Sequence, residues 1–352
     1  MKVIHIESGL GNQMLSYCEY LAMKKMNPDE DIYIETIIYD IPECNEVTCQ
    51  WNGYELNRIF GISTPANIRT LFTEEQWNQI ITEIRRTEFW KENMNYPVHF
   101  TNAFRNAGLE LVNTKGDFSE KRFMTGKETD MLSLIKRKLV NTYLGNFCKR
   151  MNNKWHEEEY IRRHDYRNRI FINSNKNLFS GQWLGLKFRE NNRDLIDEEI
   201  REVFHFPDFS DTKNREMAAI LKSCNAIAIH ARRGDMLSSN GWCYKFGYFQ
   251  RAVKHIRKHV KNPVFVFFTN PGSIEWCREN EKIFGLDFKT DTVKFVDWNT
   301  GIESYRDMQL MGLCKHAIIT NSSFGWWGAY FITNPRKITI SPCIEIDTTY
   351  HC

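Results

Sequence analysis

The sequence predicts an α/β protein whose C-terminal half folds as a doubly wound parallel sheet. From about residue 212 onward, short apolar segments alternate with helix-length segments, which is the pattern of parallel strands joined by helices. The N-terminus also begins with a strand pattern, then a helix pattern and a second strand pattern. The length of 352 residues, of which 42% are hydrophobic and 26% charged, fits two globular domains of ordinary size.

The C-terminal half carries the clearest pattern. Five apolar strands are predicted over residues 226–229, 264–268, 293–296, 317–319 and 338–340. The helices between them are predicted over residues 245–260, 273–284, 303–314 and 324–332. Sheets of this kind bind ligands beyond the carboxyl ends of their strands. We place the domain boundary at 211/212, which gives an N-terminal domain over 1–211 and a C-terminal domain over 212–352.

The N-terminal half is less informative. A first strand is predicted over 2–6, a helix over about 14–25 and a second strand over 32–35. Helical stretches are predicted around 74–86 and 130–143, but no motif accompanies them. This half therefore predicts secondary structure without indicating a function.

Composition excludes several classes of protein. The 47 Lys and Arg nearly balance the 44 Asp and Glu, so the net charge of +3 does not indicate a nucleic-acid partner. The ten cysteines form no CxxC pair, which is typical of reduced thiols in a cytoplasmic protein rather than of a disulfide framework or a zinc site. No apolar run is long enough to span a bilayer, and the alternating opening is not a signal peptide. We expect a cytoplasmic protein.

One segment is locally basic. Residues 149–193 hold eleven Lys and Arg against five Asp and Glu. Such a segment is usually a solvated face or a linker. The alternative is a contact with an anionic acceptor, or peripheral binding to the inner face of a membrane.

The first motif with chemical content is His230-Ala231-Arg232-Arg233-Gly234-Asp235, which directly follows a predicted strand. Two arginines at a strand end suit a planar anion such as a diphosphate, because guanidinium groups form bidentate, permanently charged hydrogen bonds. The alternative is a surface Arg–Asp pair of little energetic consequence. The position at the ligand-binding edge of the sheet favours the anion site.

A second motif, Asn321-Ser322-Ser323-Phe324-Gly325-Trp326-Trp327, follows the fourth predicted strand and begins a helix. Serines that cap a helix N-terminus, together with the free N–H groups and the helix dipole, form an anion site. The two tryptophans are expected to pack in the core. Asp307, in the preceding helix, lies either on a solvated face or at the same ligand site.

Two further patterns imitate cofactor motifs. Gly9-Leu10-Gly11, with Glu35 after the next strand, resembles a dinucleotide fingerprint, but Met14 occupies the third glycine position. Asp29-Glu30-Asp31 spells a metal-binding DxD, but it precedes a strand and is expected to be a solvated turn. No histidine spacing fits a metal site either. We expect no cofactor and no metal; an NAD-type oxidoreductase remains an alternative.

Three segments together resemble glycosyltransferase family 11, the α-1,2-fucosyltransferases. They are Gly9-Leu10-Gly11-Asn12-Gln13-Met14 and the two motifs after the strands at 226–229 and 317–319. The resemblance covers residues 1–22 and most of 170–342. Ser8 replaces a glycine that is common in the family, and Ala231 replaces a larger apolar residue.

The resemblance implies a two-domain, GT-B-like architecture with two Rossmann-like domains. It implies inverting, metal-independent transfer of L-fucose from GDP-β-L-fucose to the 2-hydroxyl of a galactosyl acceptor, on a surface polysaccharide or a lipid-linked oligosaccharide. The residues implied at the donor are Arg232 at the β-phosphate, His230 at the guanosine, Asp307 at the guanine, and Arg233, Asn321, Ser322 and Ser323 around the phosphates. Gly9, Gly11, Asn12 and Gln13 would line the acceptor side.

Inverting transfer also needs a base for the acceptor hydroxyl. Asp235 is the carboxylate nearest to the arginines in the sequence, with Glu7 and Glu303 as alternatives. A non-catalytic protein that binds a nucleotide or a glycan through the same residues is a further alternative.

Overall fold

The computed structural model describes residues 1–44, 52–63, 66–91, 96–113, 175–180 and 190–342, together with isolated residues between 142 and 151. The chain divides into two compact units, Met1–His205 and Phe206–Cys352. Each unit contains one sheet in which every strand pairing is parallel. The predicted α/β class is therefore confirmed, with two parallel sheets.

The N-terminal unit contains a four-stranded sheet in the order β2-β1-β4-β3. Its strands are β1 Lys2–His5, β2 Ile32–Glu35, β3 Val112–Asn113 and β4 Leu178–Ser180. Its described helices are α1 Leu10–Met26, α2 Leu56–Phe60, α3 Glu74–Arg86, α4 Tyr96–Asn106 and α5 Glu190–Val203, with short 3₁₀ turns at Ile37–Tyr39, Ile68–Leu71 and Phe89–Lys91.

Two predictions for this unit have a definite outcome. The helix over 74–86 is confirmed, and its N-terminus is fixed by a capping box in which Thr73 and Gln76 exchange hydrogen bonds. Helix α1 begins at Leu10 rather than at residue 14, because Gly9 adopts the extended N-cap conformation and the helix follows at once. The helix predicted over 130–143, apart from residue 142, and most of the basic segment 149–193 lie outside the described residues.

The C-terminal unit contains a five-stranded sheet in the order β7-β6-β5-β8-β9. Its strands are β5 Asn225–His230, β6 Pro263–Phe268, β7 Thr292–Val296, β8 His316–Ile319 and β9 Thr339–Ile340. Its helices are α6 Thr212–Ser223, α7 Leu237–Lys245, α8 Tyr248–His259, α9 Ile274–Glu279, α10 Glu281–Phe284, α11 Tyr305–Gly312 and α12 Ser323–Tyr330, with 3₁₀ turns at Gly234–Met236 and Gly301–Glu303. All five predicted strands are present.

The predicted helices of this unit need two corrections. The helix predicted over 245–260 begins only at Tyr248, because Gly247 has a left-handed backbone (φ +70°) that separates it from α7, which the sequence did not predict. The helix predicted over 273–284 is broken at Asn280 into α9 and α10. The side-chain amide of Asn280 donates a hydrogen bond to the carbonyl of Trp276 at this break.

Strand β5 lies at the centre of the sheet and is buried on both faces. Ile227 and Ile229 pack into the core on one side, and Ala226 and Ala228 pack into the core on the other. Continuous apolar strands of this kind are typical of parallel sheets covered by helices on both faces. The carboxyl ends of β5, β6 and β8 consequently lie at one edge of the sheet. No helix in the described parts of the chain combines the length and the apolar character needed to cross a membrane.

Candidate functional site

The loop after β5 is tied to the end of β8 by one hydroxyl group. Thr320 Oγ1 donates to the carbonyl of His230 (3.1 Å) and accepts a hydrogen bond from the backbone N–H of Arg232 (3.0 Å). The backbone N–H of Thr320 also donates to the carbonyl of His230 (3.2 Å). The two sequence motifs therefore meet at the carboxyl edge of the sheet.

Two side chains of α7 complete this connection. Asn240, which is fully buried, donates to the carbonyls of Arg232 (3.4 Å) and Asn321 (3.1 Å) and accepts from the N–H of Asn321 (3.0 Å). The hydroxyl of Tyr244 donates to the carbonyl of Arg232 at 2.9 Å. Asn240, Tyr244 and Thr320 therefore hold the two motifs in register. The sequence does not predict this role, because its apolar pattern does not reveal α7.

The two arginines have different surroundings. The guanidinium carbon of Arg233 lies 3.3 Å from the ring centroid of Trp276 and 4.9 Å from that of Tyr244. The backbone N–H of Arg233 donates to the side chain of Asn270 at 2.9 Å. Burial lowers the pKa of Arg233 from its ordinary value, but an arginine stays charged in proteins. Arg233 thus packs its guanidinium on aromatic rings, a role that the sequence did not predict.

His230, the last residue of β5, is only 3% exposed. Its ring stacks on Phe324 with a centroid distance of 5.7 Å, and Gly325 lies so close that a methyl group there would overlap the ring. Burial and the charge of Arg232 lower the pKa of His230 to about 3, so the ring is neutral at physiological pH. Its Nδ1 atom is buried and has no hydrogen-bond partner among the described residues.

Helix α12 presents its N-terminus at the same edge. Ser322 occupies the N-cap position in an extended conformation, but its hydroxyl makes no capping hydrogen bond. The predicted position of the cap is therefore right, and the predicted capping by the Ser322 hydroxyl is wrong. Asn321, Ser322 and Ser323 are half-buried. Trp327 is fully buried in the core as predicted, whereas Trp326 is half-buried and stacks on Tyr330.

Asp307 is buried in the first turn of α11, so of the two alternatives for this residue the solvated face is wrong, and the ligand site stays a prediction. Its carboxylate accepts a hydrogen bond from Asn299 at 2.8 Å. Burial nevertheless raises the pKa of Asp307 to about 8, well above the ordinary value of 3.8. Asn299 is held by Asn214, whose side-chain oxygen also accepts from the indole N–H of Trp298. Asp307 is thus a buried, largely protonated carboxyl group near neutral pH.

In the N-terminal unit, the predicted Gly9–Gln13 segment forms the start of α1. Gln13 is fully buried: its amide donates to the carbonyls of Ser8 and Gly53 (both 2.9 Å) and accepts from the N–H of Glu55 (2.8 Å). Gln13 therefore joins α1 to the loop before α2 and does not line an open surface.

The other members of this segment differ. Gly11 is buried, and Asn12 is half-buried in the first turn with its backbone N–H bonded to the carbonyl of Gly9. Because Gly9 is the N-cap, Asn12 is not a capping residue. Ser8 has a φ of +67°, a left-handed conformation that favours glycine. This accounts for the glycine that related sequences place there.

The carboxylates proposed as the base lie in different settings. The side chain of Asp235 lies outside the described residues, although its backbone forms a 3₁₀ turn. Glu303 is exposed and pairs with Arg306 at 3.4 Å. The side chain of Glu7 is 23% exposed and lies 3.8 Å from the buried ring of His5.

The patterns that imitate cofactor motifs have structural explanations. Glu35 is buried against His5 and the N–H of Ile37, so its carboxylate does not project to a ribose as a dinucleotide fingerprint requires. Glu30, in the turn before β2, pairs with Lys2 at 2.8 Å. Within the part of the chain that the structure describes, no three His, Cys, Asp or Glu side chains are grouped to hold a metal ion.

Comparison with known proteins identifies the family. The profile described as Glycosyl transferase family 11 matches residues 114–351. The chain is 33% identical over 164 residues to an α-1,2-colitosyltransferase of Escherichia coli, covering 44% of this chain and 53% of that protein. It is 31% identical over 130 residues to the O-antigen biosynthesis glycosyltransferase WbnK of Escherichia coli, covering 35% and 40%.

A third relative comes from an animal. The chain is 32% identical over 109 residues to galactoside α-(1,2)-fucosyltransferase 1 of Saimiri sciureus, covering 30% of this chain and 28% of that protein. The chain thus spans about half or less of the length of the relatives it matches. The family profile, by contrast, covers more than half of the chain and includes the whole edge of the C-terminal sheet. On this evidence the chain belongs to glycosyl transferase family 11.

Proposed function

We propose that this protein is an inverting glycosyltransferase that moves L-fucose from GDP-β-L-fucose to the 2-hydroxyl of a galactosyl acceptor, in the biosynthesis of a surface glycan. Family membership supports the reaction class. The observation that carries the proposal is the connection of the Arg232 loop to the N-terminus of α12 by Thr320 and Asn240. It brings the backbone of Arg232 and the N-terminus of α12 to one edge, where a guanidinium group and the free N–H groups of a helix would together suit a diphosphate.

The proposed reaction gains most from stabilising the leaving group. Fucose departs through an oxocarbenium-like transition state, and negative charge grows on the diphosphate. Fixed donors aimed at that charge lower the barrier more than donors that must reorganise. Arg232, Ser322 and Ser323 would supply these donors, and no metal ion is needed. The tie between the Arg232 N–H and Thr320 keeps this loop in place.

The guanosine would be recognised by Asp307 and His230. The N1–H and the exocyclic amine of guanine are hydrogen-bond donors, so they pair with a carboxylate oxygen. Asp307 is protonated near neutral pH in the free protein because it is buried. Pairing with guanine would favour its ionised form and release the proton.

We propose that the two units bind different substrates. The C-terminal domain would bind GDP-fucose, and the N-terminal domain, with Gly9, Gly11 and Asn12, would serve the acceptor. This corresponds to a GT-B-like arrangement with two Rossmann-like domains. The parallel sheet in each unit supports it.

A second candidate donor sugar is colitose. The relative from Escherichia coli with 33% identity is named as an α-1,2-colitosyltransferase. Colitose is fucose without its 3-hydroxyl, so the two donors differ only at that position. A site that hydrogen-bonds the 3-hydroxyl would reject colitose strongly, whereas an apolar site would accept both sugars.

The proposal is tested with the purified protein on a glycan array, with GDP-fucose and GDP-colitose as separate donors, followed by linkage analysis of the product. We expect α-1,2-linked fucose on galactose, with full activity in excess EDTA. A requirement for Mg²⁺ or Mn²⁺ would contradict metal independence. GDP binding without turnover of either donor would indicate the non-catalytic alternative, and the absorbance of a bound nicotinamide would indicate the oxidoreductase.

A further inference from the structure

Three titratable side chains lie in a row at the carboxyl edge of the N-terminal sheet. They are Glu35, His5 and Glu7, named here the carboxylate–histidine row. We propose that Glu7 is the catalytic base that removes the proton from the acceptor hydroxyl, and that His5 and Glu35 are the residues that position it. This inference rests on the proposed fucosyl transfer and adds the group that accepts the proton. All three residues belong to the N-terminal unit.

The sheet fixes the buried end of the carboxylate–histidine row, which is the pair of His5 and Glu35. His5 and Glu35 end the neighbouring strands β1 and β2, and they are direct register partners in that parallel pair. One carboxylate oxygen of Glu35 is hydrogen-bonded to His5 Nδ1, and the other accepts the backbone N–H of Ile37. The side chain of Glu35 is not exposed at all. Its two bonds therefore determine the orientation of the imidazole ring.

The imidazole ring connects the buried carboxylate to Glu7. Its side chain is 1% exposed, and its Nε2 atom lies 3.8 Å from a carboxylate oxygen of Glu7. Phe100 and Phe179 flank the ring with centroid distances of 5.9 Å and 5.8 Å. Since Glu35 holds Nδ1, Nε2 is the ring nitrogen that lies next to Glu7.

The charge of His5 decides which group can accept a proton. Burial alone would lower its pKa, but the charge and hydrogen bond of Glu35, together with the nearby charge of Glu7, outweigh burial and raise the pKa of His5 to about 9. His5 is therefore an imidazolium at neutral pH and cannot act as the base itself. Other titratable groups nearby are Tyr39, whose pKa is raised by burial and by Glu7, and Asp40, whose pKa is raised by burial and by Glu35.

Of the three side chains in the carboxylate–histidine row, Glu7 is the one that a substrate can reach. Its side chain is 23% exposed, whereas those of His5 and Glu35 are closed to solvent. It follows β1 directly, at the edge of a parallel sheet where ligands bind. Glu303, the alternative in the C-terminal unit, pairs with the buried Arg306 at 3.4 Å, but its own side chain is 54% exposed, more than twice as exposed as that of Glu7.

In the proposed step, Glu7 accepts one proton while fucose moves from GDP to the acceptor. The O–H bond of the acceptor breaks and its proton moves to the carboxylate of Glu7, while the oxygen forms a bond to the anomeric carbon of fucose. The bond from that carbon to the β-phosphate oxygen breaks, and its electron pair stays with GDP. Glu7 then gives the proton to water through its exposed face. The imidazolium of His5 orients the carboxylate of Glu7 before each turnover.

The principal test compares Glu7→Gln with Glu75→Gln, an exposed carboxylate on α3 of the same unit. We measure kcat for transfer, the Kd for GDP and the melting temperature. Glu7→Gln should lower kcat by on the order of 10²-fold or more, the contribution of a general base. Its Kd for GDP should stay within about twofold of the wild type. Glu7→Asp, which keeps the carboxylate, should recover part of the rate, and Glu75→Gln should change nothing.

The same measurements distinguish a failure of the proposed transferase activity from a failure of Glu7 as its base. If the wild-type protein binds GDP but transfers no sugar, the proposed function fails and this proposal fails with it. If the wild type is active and both Glu7 variants stay within about fivefold of its kcat, Glu7 is not the base while the function stands. A loss of activity in Asp235→Asn alone would move the assignment to Asp235.

The role of His5 is tested by the pH dependence of kcat. In the wild type, kcat should fall as pH rises through about 9, because the imidazolium that orients Glu7 loses its charge. In His5→Gln, which cannot ionise, kcat should be lower by about tenfold at neutral pH and should lack this fall. A lower kcat with the wild-type pH profile would show that His5 acts only on stability, and it would overturn the positioning role.

Discussion

His5 and His230 occupy equivalent positions in the two units, but the ring of His5 is positively charged at neutral pH and that of His230 is uncharged. Each is the last residue of an inner strand of a parallel sheet, and each is less than 5% exposed. Burial acts on both rings, but the pKa of His5 is raised to about 9, whereas that of His230 is lowered to about 3. The neighbours make the difference: the carboxylates of Glu35 and Glu7 for the first ring, and Arg232 for the second.

This difference indicates that each sheet edge is set for one kind of chemistry. The N-terminal edge holds carboxylates and an imidazolium, groups that hold and move protons. The C-terminal edge holds arginines and a helix N-terminus around a neutral ring, groups that bind an anion. The same fold position thus holds a charged ring in one unit and a neutral ring in the other, and the residues on the adjacent strand or loop decide which.

The anion-binding edge is tested most severely at Arg232. Arg232→Lys keeps the positive charge but loses the bidentate geometry, so kcat/KM should fall by on the order of 10²-fold or more. Arg257→Lys is the matched control, because Arg257 pairs with Asp291 on a solvated face of the same unit. Activity of Arg232→Lys within a few-fold of the wild type would remove Arg232 from the diphosphate site.

The packing around the neutral histidine is tested at Gly325. A methyl group at this position overlaps the His230 ring, so Gly325→Ala should lower the free energy of unfolding by about 1–3 kcal/mol and weaken GDP binding. Gly241→Ala, in α7, meets no atom within 4 Å and should be neutral or stabilising. Denaturant unfolding and calorimetry with GDP measure the two effects. Equal stability of both variants would show that the ring has room to move.

Ser323 and Asn12 test whether the two edges act separately. Ser323→Ala should weaken GDP binding by roughly 1–2 kcal/mol, the scale of a lost hydrogen bond to a charged group. Asn12→Ala should leave the affinity for GDP unchanged and lower transfer to the acceptor. Since Gly9 is the N-cap of α1, the Asn12 variant should also melt normally. An equal loss of GDP affinity in both variants would contradict the separation.

The smallest expected effect concerns Asp307 and is the release of a proton when GDP binds. Its pKa of about 8 means that it is mostly protonated at pH 7, and guanine donors would favour the ionised form. GDP binding at pH 7 should therefore release up to one proton, and this release should diminish as pH rises above about 8. Calorimetry in buffers of different ionisation enthalpy measures it, with Asp307→Asn as the control. Identical proton release in that variant would place the titrating group elsewhere.

The chemical groups of the C-terminal edge were predictable because motifs mark them. His230, Arg232 and Ser322 follow apolar strands, and the strand order then brings them together. Asn240 and Thr320 were not predicted as determinants of this geometry, because uncharged polar residues form no pattern until their backbone partners are known. The broken helix at Asn280 was hidden for the same reason.

The N-terminal edge shows a second limit. His5 and Glu35 are separated by 30 residues, and only the register of β1 against β2 makes them partners. In the sequence, Glu35 stands out only as part of an incomplete dinucleotide fingerprint that Met14 interrupts, and no pattern gives His5 a role. A strand pattern predicts that a strand exists, whereas the pairing of two strand ends depends on the whole sheet.

The difference in protonation between the two strand-end histidines is measured most directly by nitrogen NMR of the protein labelled in its histidine rings, near neutral pH. The variants His5→Gln and His230→Gln assign the two signals. We expect His5 to show the shifts of a fully protonated ring that titrates near pH 9, and His230 to stay neutral until the pH falls well below the ordinary value of 6.5. Two rings that both titrate near 6.5 would contradict the division between a proton-handling edge and an anion-binding edge.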